Sequence, residues 1–316
     1  MKLSKDFKEI KGDASLRKFY RNTKKNSIII FANEKKNRNL LTYDAINKIL
    51  IRNKIIAPKL ISENYNKNYI EVQDLGNKTI YQTFVSNNLE NYFVFKKVIK
   101  VLNKMQLIKD KKVKNFRKNY YKIKEYENKI LLDEVRLFSN WYVPKKLTKN
   151  KINVFNYKFI KEVKLLLSKL KLKNDTFVHR DFHVSNLIIN SKNQIGLIDN
   201  QDALIGNKAY DLASLIDDVR YKTSNTLKDK IYKYYLTTNK KIEVNKFKND
   251  FDILSVLRNL KIIGIFMRLA ERDKKKKYLK LIPYAWNIID NRMSKNKVFD
   301  NLKLLLISNF SKFIIK

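Results

Sequence analysis

The 316 residues contain no cysteine, which removes disulfides, thiolate zinc sites and a cysteine nucleophile together. Only two histidines are present, so a histidine-rich metal centre is not expected. Five glycines and three prolines leave no material for a glycine-rich repeat. The opening residues, MKLSKDFKEIKGD, are charged and lack the apolar stretch of a secretory signal. No run approaches the ~18 apolar residues of a membrane helix. These absences predict a soluble cytoplasmic protein with no membrane partner.

What is present is a globular composition, 44% hydrophobic and 12% aromatic. Its charge is one-sided: 69 Lys and Arg against 30 Asp and Glu give a formal +39. A basic surface of that size has two readings. One is a nucleic-acid or membrane-surface binder. The other is a lysine-rich proteome, because Lys, Asn and Ile crowd together even in stretches such as NKILIRNKIIAPKLISENYNKNYI. The basic residues are spread along the chain, with no basic arm and no aromatic-interleaved RNA motif. The compositional reading is therefore preferred, and no specific nucleic-acid partner is expected. A positive surface nevertheless attracts anionic ligands such as nucleotides, and salt weakens that attraction.

The first ~75 residues carry short β-like runs: Phe19–Tyr20, Ser27–Phe31 and Asn68–Val72, with a helical stretch near Leu40–Asn53 before Pro58. Beyond Gly76 the pattern turns helical, over Thr79–Leu107, Tyr120–Leu137 and Phe155–Leu172. Thr176–Val178, Leu187–Ile189 and Ile195–Ile198 read as small strands. The chain after Tyr210 reads as helix, including Phe251–Arg272, Tyr278–Asp290 and Val298–Phe313. The expected architecture is α+β and bilobal. Residues 1–76 form a small sheet-rich lobe, with a hinge near 73–76, and residues 77–316 form a large, mainly helical lobe.

The scarce residues converge. Both histidines lie in Phe177-Val-His-Arg-Asp-Phe-His-Val-Ser-Asn186, and Ile198-Asp-Asn-Gln-Asp202 follows shortly after. An apolar strand leads into a loop holding Asp181 and Asn186, and a hairpin over Leu187–Ile198 returns Asp199 beside them. Asp181 is a carboxylate able to accept a hydroxyl proton. Asn186 and Asp199 are hard oxygen ligands suited to Mg²⁺ shared with phosphate. The order H-x-D-x-x-x-x-N followed by a metal Asp is that of kinase-type phosphoryl transfer. Either string alone reads more readily as a polar turn. Together, between apolar strands and with Tyr210-Asp-Leu-Ala213 following, they point to a phosphotransferase.

The segment resembles the aminoglycoside-phosphotransferase and choline-kinase-like superfamily, which has the protein-kinase fold. It is most similar to the anomeric N-acetylmuramate/N-acetylglucosamine kinases of bacterial cell-wall recycling. Four blocks carry that resemblance: Gly12–Arg21, Val72–Thr79, Asp133–Tyr142, and Arg258–Asp273 with Tyr278 and Pro283. The resemblance implies ATP and Mg²⁺ as cofactors and Asp181 as catalytic base. It implies that Asn186 and Asp199 hold the metal. Gly12, Asp13, Ala14 and Ser15 would cap the phosphates, and Gln73, Asp74 and Leu75 would offer main-chain groups to adenine. Glu134, Trp141, Gln201 and Asp202 become candidates for sugar contact. Trp141 reads equally as a core aromatic. His179 and Asp211 become structural supports of the catalytic loop, and His183 either lines the acceptor site or serves the loop. Arg258, Arg268 and Arg272 would meet an acidic substituent or form salt bridges on a helix surface. The protein would act as a monomer on a small amino sugar.

Two departures qualify the resemblance. There is no G-x-G-x-x-G, and the third strand, Ser27-Ile-Ile-Ile-Phe-Ala-Asn33, has no lysine where a protein kinase carries one. Lys18, Lys35 and Lys36 lie nearest, and the sequence does not choose among them. The metal Asp is followed by Asn200-Gln201, and the segment to Tyr210 is short, which speaks against control by loop phosphorylation. Two alternatives stay open: another hydroxyl kinase acting on an aminoglycoside or choline, and a nucleotide-binding protein without catalysis.

Overall fold

A computed structural model describes residues 6–10, 17–32, 38–86 and 91–314. Gly12, Asp13, Ala14 and Ser15 lie outside these residues, as do Lys35 and Lys36. The chain divides into two compact units. Unit 1 comprises residues 1–124 and 177–205, and unit 2 comprises residues 125–176 and 206–316.

Unit 1 holds a five-stranded antiparallel sheet in the order β1-β2-β3-β5-β4. Its strands are β1 (Phe7–Ile10), β2 (Lys18–Asn22), β3 (Ser27–Phe31), β4 (Leu60–Asn64) and β5 (Tyr69–Gln73). β3 is central because its β-branched run suits a pleated surface covered on both sides. The β2–β3 turn is set locally, since the Asn22 side-chain oxygen accepts the N–H groups of Lys24 and Lys25 at 3.0 and 3.2 Å. Helix α1 (Arg38–Arg52) covers the sheet. Leu40 and Tyr43 from the helix bury with Ile30, Ala32, Ile70 and Val72.

Helices α2 (Ile80–Ser86) and α3 (Tyr92–Gln106) follow, then the hairpin of β6 (Lys112–Lys114) and β7 (Tyr120–Lys122). Residues 120–122 are thus strand where the sequence pattern reads as helix. Asn115 accounts for the difference. Its side-chain oxygen accepts from the N–H groups of Arg117 and Asn119, turning the chain so that Tyr121 pairs with Val113.

The chain enters unit 2 and returns through β8 (Asn174–Val178), which pairs with β11 (Leu204–Asn207). Between them lies the hairpin of β9 (Leu187–Ile189) and β10 (Ile195–Leu197), with Leu187 opposite Leu197. Bridges from Ile56 to Gly196 and from Thr79 to Ile188 attach this hairpin to the rest of unit 1.

Unit 2 is helical, with α4 (Asn128–Leu137), α5 (Lys149–Ser168), α6 (Ala209–Ile216), α7 (Asn225–Thr237), α8 (Val244–Glu271), α9 (Ile282–Met293) and α10 (Asp300–Ile314). α8 is buried on nearly every face from Phe247 to Ala270, and that burial takes in polar residues such as Asp250, Asp252 and Arg258 beside the apolar ones. A π-turn at Phe138–Tyr142 feeds an aromatic cluster with Phe155, Phe159, Trp286 and Phe310. Burying each such ring is worth about 1.5–3 kcal/mol. The α+β class, with a small antiparallel sheet and a larger helical part, is the one the sequence predicts. Among the described residues no helix is long and apolar enough to cross a membrane.

Candidate active site

The loop after β8 is fixed before any ligand is considered. Phe177 and Val178 are buried, and the backbone then bends through Arg180, which sits at φ 73°. A left-handed arginine is uncommon and is held here by its surroundings. The main-chain oxygen of Asp181 accepts from His183 N and from Asn186 Nδ2, both at 3.0 Å. Asp181 itself is half-buried. The recorded hydrogen bonds of the Asn186 side chain use Nδ2, so Oδ1 is the end suited to a hard cation. Ile198 N donates to Asn186 O at 3.1 Å, which brings Asp199 next to that amide.

His179 is buried behind the loop. The Asp181 N–H donates to its Nδ1 at 3.3 Å, so Nε2 carries the proton. Nε2 lies 2.8 Å from Asn200 Oδ1. Asn200 Nδ2 donates to Asn47 Oδ1 at 2.8 Å, and Asn47 Nδ2 donates to Pro58 O at 2.9 Å. The loop is thereby tied to α1 through neutral amides. His183 is buried within the same loop.

Asp199 adopts φ 64°, and its side chain is 38% exposed. It meets Arg17, whose Nη2 lies 2.5 Å from Asp199 Oδ1. Arg17 Nη1 donates to Gln201 Oε1 at 2.8 Å, and Gln201 Nε2 reaches Asp199 and Asp202 at 3.3 and 2.8 Å. Gln201 is buried among these partners, while Asp202 is exposed. Among the described residues no three His, Cys, Asp or Glu side chains converge on a metal position. One carboxylate and one amide oxygen fit Mg²⁺, which takes few protein ligands when phosphate supplies the rest.

In the segment expected to be a hinge, Gln73 N donates to Lys59 O at 2.8 Å and Asp74 N to Asn26 O at 3.1 Å. Leu75 therefore offers the remaining main-chain N–H of the three. Arg21 holds the segment, with Nε 2.5 Å from Asp74 Oδ2 and Nη2 2.9 Å from Gly76 O. Gly76 sits at φ 138°, which only glycine adopts without strain.

The other expected residues belong to unit 2. Glu134 on α4 accepts from Tyr126 Oη at 2.5 Å and pairs with Lys261 at 3.0 Å. Trp141 is half-buried in the π-turn, and among the described residues it stacks on no other ring, unlike its neighbours Phe138 and Tyr142. Asp211 is fully buried in the first turn of α6. Arg272 forms a surface pair with Asp273 at 2.8 Å. Arg258 is only 4% exposed, and its Nη1 has no partner among the described residues, so it is no surface salt bridge. Arg268 lies between, with its pKa lowered by burial and by Arg272.

Asp202, Asp217 and Asp218 are the carboxylates from which a pocket for a cationic acceptor could be built, and Asp217 is already paired. Burial pushes the Asp217 carboxyl up, but Arg292 and Lys228, at 2.8 and 2.9 Å, overcome this and hold it well below the usual carboxylate range. Asp218 is buried with Arg220 at 3.6 Å.

Sequence reasoning did not single out Arg17, Tyr43, Asn47 or Asn200. The available signals were an arginine inside the Gly12–Arg21 block and a polar Asn47 beside the apolar Ile46, Ile49 and Leu50 of α1.

Comparison with known proteins gives the family and its relatives. The family described as "Phosphotransferase enzyme family" matches residues 6–242. N-acetylmuramate/N-acetylglucosamine kinase of Neisseria meningitidis is 26% identical over 288 residues, covering 88% of this chain and 82% of its own. The enzyme of that name from Pseudomonas putida is 26% identical over 86% of this chain and 78% of its own. Among solved structures, a Plasmodium vivax ethanolamine kinase superposes with TM-score 0.63 at 15% identity, covering 92% of this chain and 84% of its own. Choline kinase LicA from Streptococcus pneumoniae gives 0.62 at 12%, covering 90% and 93%. At such identities the likeness to these structures is one of fold.

Proposed function

The chain belongs to the phosphotransferase enzyme family, and from that membership we propose that it moves the γ-phosphoryl group of ATP to the anomeric hydroxyl of N-acetylmuramate or N-acetylglucosamine. The observation that carries the chemistry is the constellation of Asp181, Asn186 and Asp199 within one compact unit, braced by His179. The names and coverage of the curated relatives support the acceptor.

In this reading residues 1–76 hold the nucleotide, and residues 77–316 supply catalysis and the acceptor site. Gly12–Ser15 cap the phosphates, and the main chain of Gln73–Leu75 receives adenine, with Leu75 as donor. The Asp181 carboxylate accepts the acceptor's hydroxyl proton as the new O–P bond forms, and the bond between the γ-phosphorus and the bridging oxygen breaks to release ADP. Asn186 and Asp199 are the residues that would hold Mg²⁺ with phosphate oxygens. When bound, the ion offsets charge on the phosphoryl group. Asp211 braces the loop. Glu134, Trp141 and Asp202 contact the sugar, the indole of Trp141 being of a kind suited to a pyranose ring. Gln201 adds to them while orienting Asp199. ATP as donor puts the reaction in the cytoplasm, and the protein acts as a monomer. The pairing of Asp217 with Lys228 and Arg292, and the positive net charge, count against a cationic acceptor such as an aminoglycoside or choline.

The test is ADP release from Mg·ATP with a panel of N-acetylmuramate, N-acetylglucosamine, glucosamine, an aminoglycoside and choline. Turnover is expected with the N-acetyl sugars. Asp181→Asn should lower kcat by about 10²–10⁴ while leaving ADP affinity intact. Turnover confined to a cationic acceptor would overturn the sugar assignment.

A further inference from the structure

We propose that Arg17 supplies the cation the third strand lacks: its guanidinium is the ligand for the nucleotide's phosphates, seated on the ring of Tyr43 in α1. The inference rests on the phosphotransferase reading above and adds a residue to its nucleotide side.

The need is set by the sequence. β3 carries Ser27-Ile-Ile-Ile-Phe31 and offers no lysine, yet a polyphosphate held beside Asp199 brings several negative charges to one place. Geometry then selects among the described cations of β2 and the residue before it, Arg17, Lys18 and Arg21. Successive side chains of an extended segment point to opposite faces, so Arg17, Phe19 and Arg21 share one face and Lys18 takes the other. Lys18 is exposed. Arg21 is committed to the hinge through Asp74 and Gly76. Arg17 alone of the three directs its charge at the expected metal carboxylate, at 2.5 Å, with a side chain only 10% exposed.

Its environment orients it. The guanidinium carbon lies 5.6 Å from the Phe19 ring centroid and 5.9 Å from that of Tyr43. Such contacts favour the cation without neutralising it. Burial pushes the Tyr43 hydroxyl up to about 12, with Arg17 working against the rise, so Tyr43 stays uncharged at neutral pH and does not compete as an anion. In a protein kinase the corresponding lysine is fixed by a helix carboxylate. Here an aromatic ring on α1 lies beside the guanidinium, and the carboxylate that Arg17 meets is that of Asp199. The Gln201 amide oxygen, a neutral acceptor at 2.8 Å, is the partner that a phosphate oxygen displaces, because charge-assisted bonds are the stronger. The planar fork suits two phosphate oxygens at once.

The test is binding without turnover or divalent ion. Adenosine and ADP are titrated calorimetrically into wild-type protein, Arg17→Met, Arg17→Gln and Lys18→Met. The readout is the ratio of the two affinities within each protein, which cancels any unfolded fraction. Wild type should prefer ADP over adenosine. Both Arg17 variants should lose that preference by on the order of ten- to a hundredfold, with adenosine affinity kept, and Lys18→Met should retain it. Arg17→Met and Arg17→Gln preferring ADP as strongly as wild type would overturn the assignment, as would loss of the preference in Lys18→Met alone. A wild-type protein that binds neither ligand would overturn the phosphotransferase reading itself.

Discussion

Asn200 is wholly buried, and its side chain links His179 to Asn47 through bonds of 2.8 Å on each side. Asn200→Ala strands the Asn47 oxygen and weakens the hold on His179. It should cost about 1–3 kcal/mol in urea unfolding. Because Asn47 belongs to the same chain of bonds, the Asn47→Ala/Asn200→Ala pair should cost less than the sum of the singles, whereas full additivity would contradict a shared network. The sequence exposes one part of this site and hides the other for a physical reason. Asp181, Asn186 and Asp199 lie in a short stretch, so local spacing alone describes the loop and hairpin that hold them. Arg17 meets Asp199 across 182 positions, and Asn47 meets Asn200 across 153. One arginine among 69 basic residues carries no signal until the sheet is folded.

Among the elements, α8 depends on a close approach at Gly264. A β-carbon there would stand 2.2 Å from the carbonyl carbon of Leu137 and 2.4 Å from Phe138 N. Both obstacles are backbone, so no rotamer change relieves them. Gly264→Ala should lower stability by about 1–3 kcal/mol or more, read as a fall in thermal midpoint with an unchanged fold by circular dichroism. Long periodic elements such as α5 and α8 were legible from the recurrence of apolar residues. Among the short strands, β9 and β10 showed as apolar runs, and three others did not. β1, β6 and β7 are too short to show a period, and their existence depends on partners brought by turns.

For the molecule as a whole, buried phenols set the alkaline limit. Burial pushes the hydroxyls of Tyr43 and Tyr142 up to about 12. In the unfolded chain a tyrosine titrates near ~10. Below that value both states keep the proton and these residues leave stability unaffected by pH. As pH rises from about 10 towards about 12 the unfolded chain alone loses its protons, so stability falls. The urea midpoint of the wild type should decline over that window. A Tyr43→Phe/Tyr142→Phe variant should decline less steeply, and parallel curves would refute the assignment. The interleaved units have a consequence in time. Unit 1 needs both residues 1–124 and residues 177–205. On a ribosome the sheet emerges early, but Asn47 has no Asn200 to bond, and Ile56 has no Gly196, until the chain has been made past the hairpin. The part of the protein that is synthesised first is therefore not the part that is finished first, and a nascent chain halted after residue 124 would present an incomplete fold to chaperones and proteases.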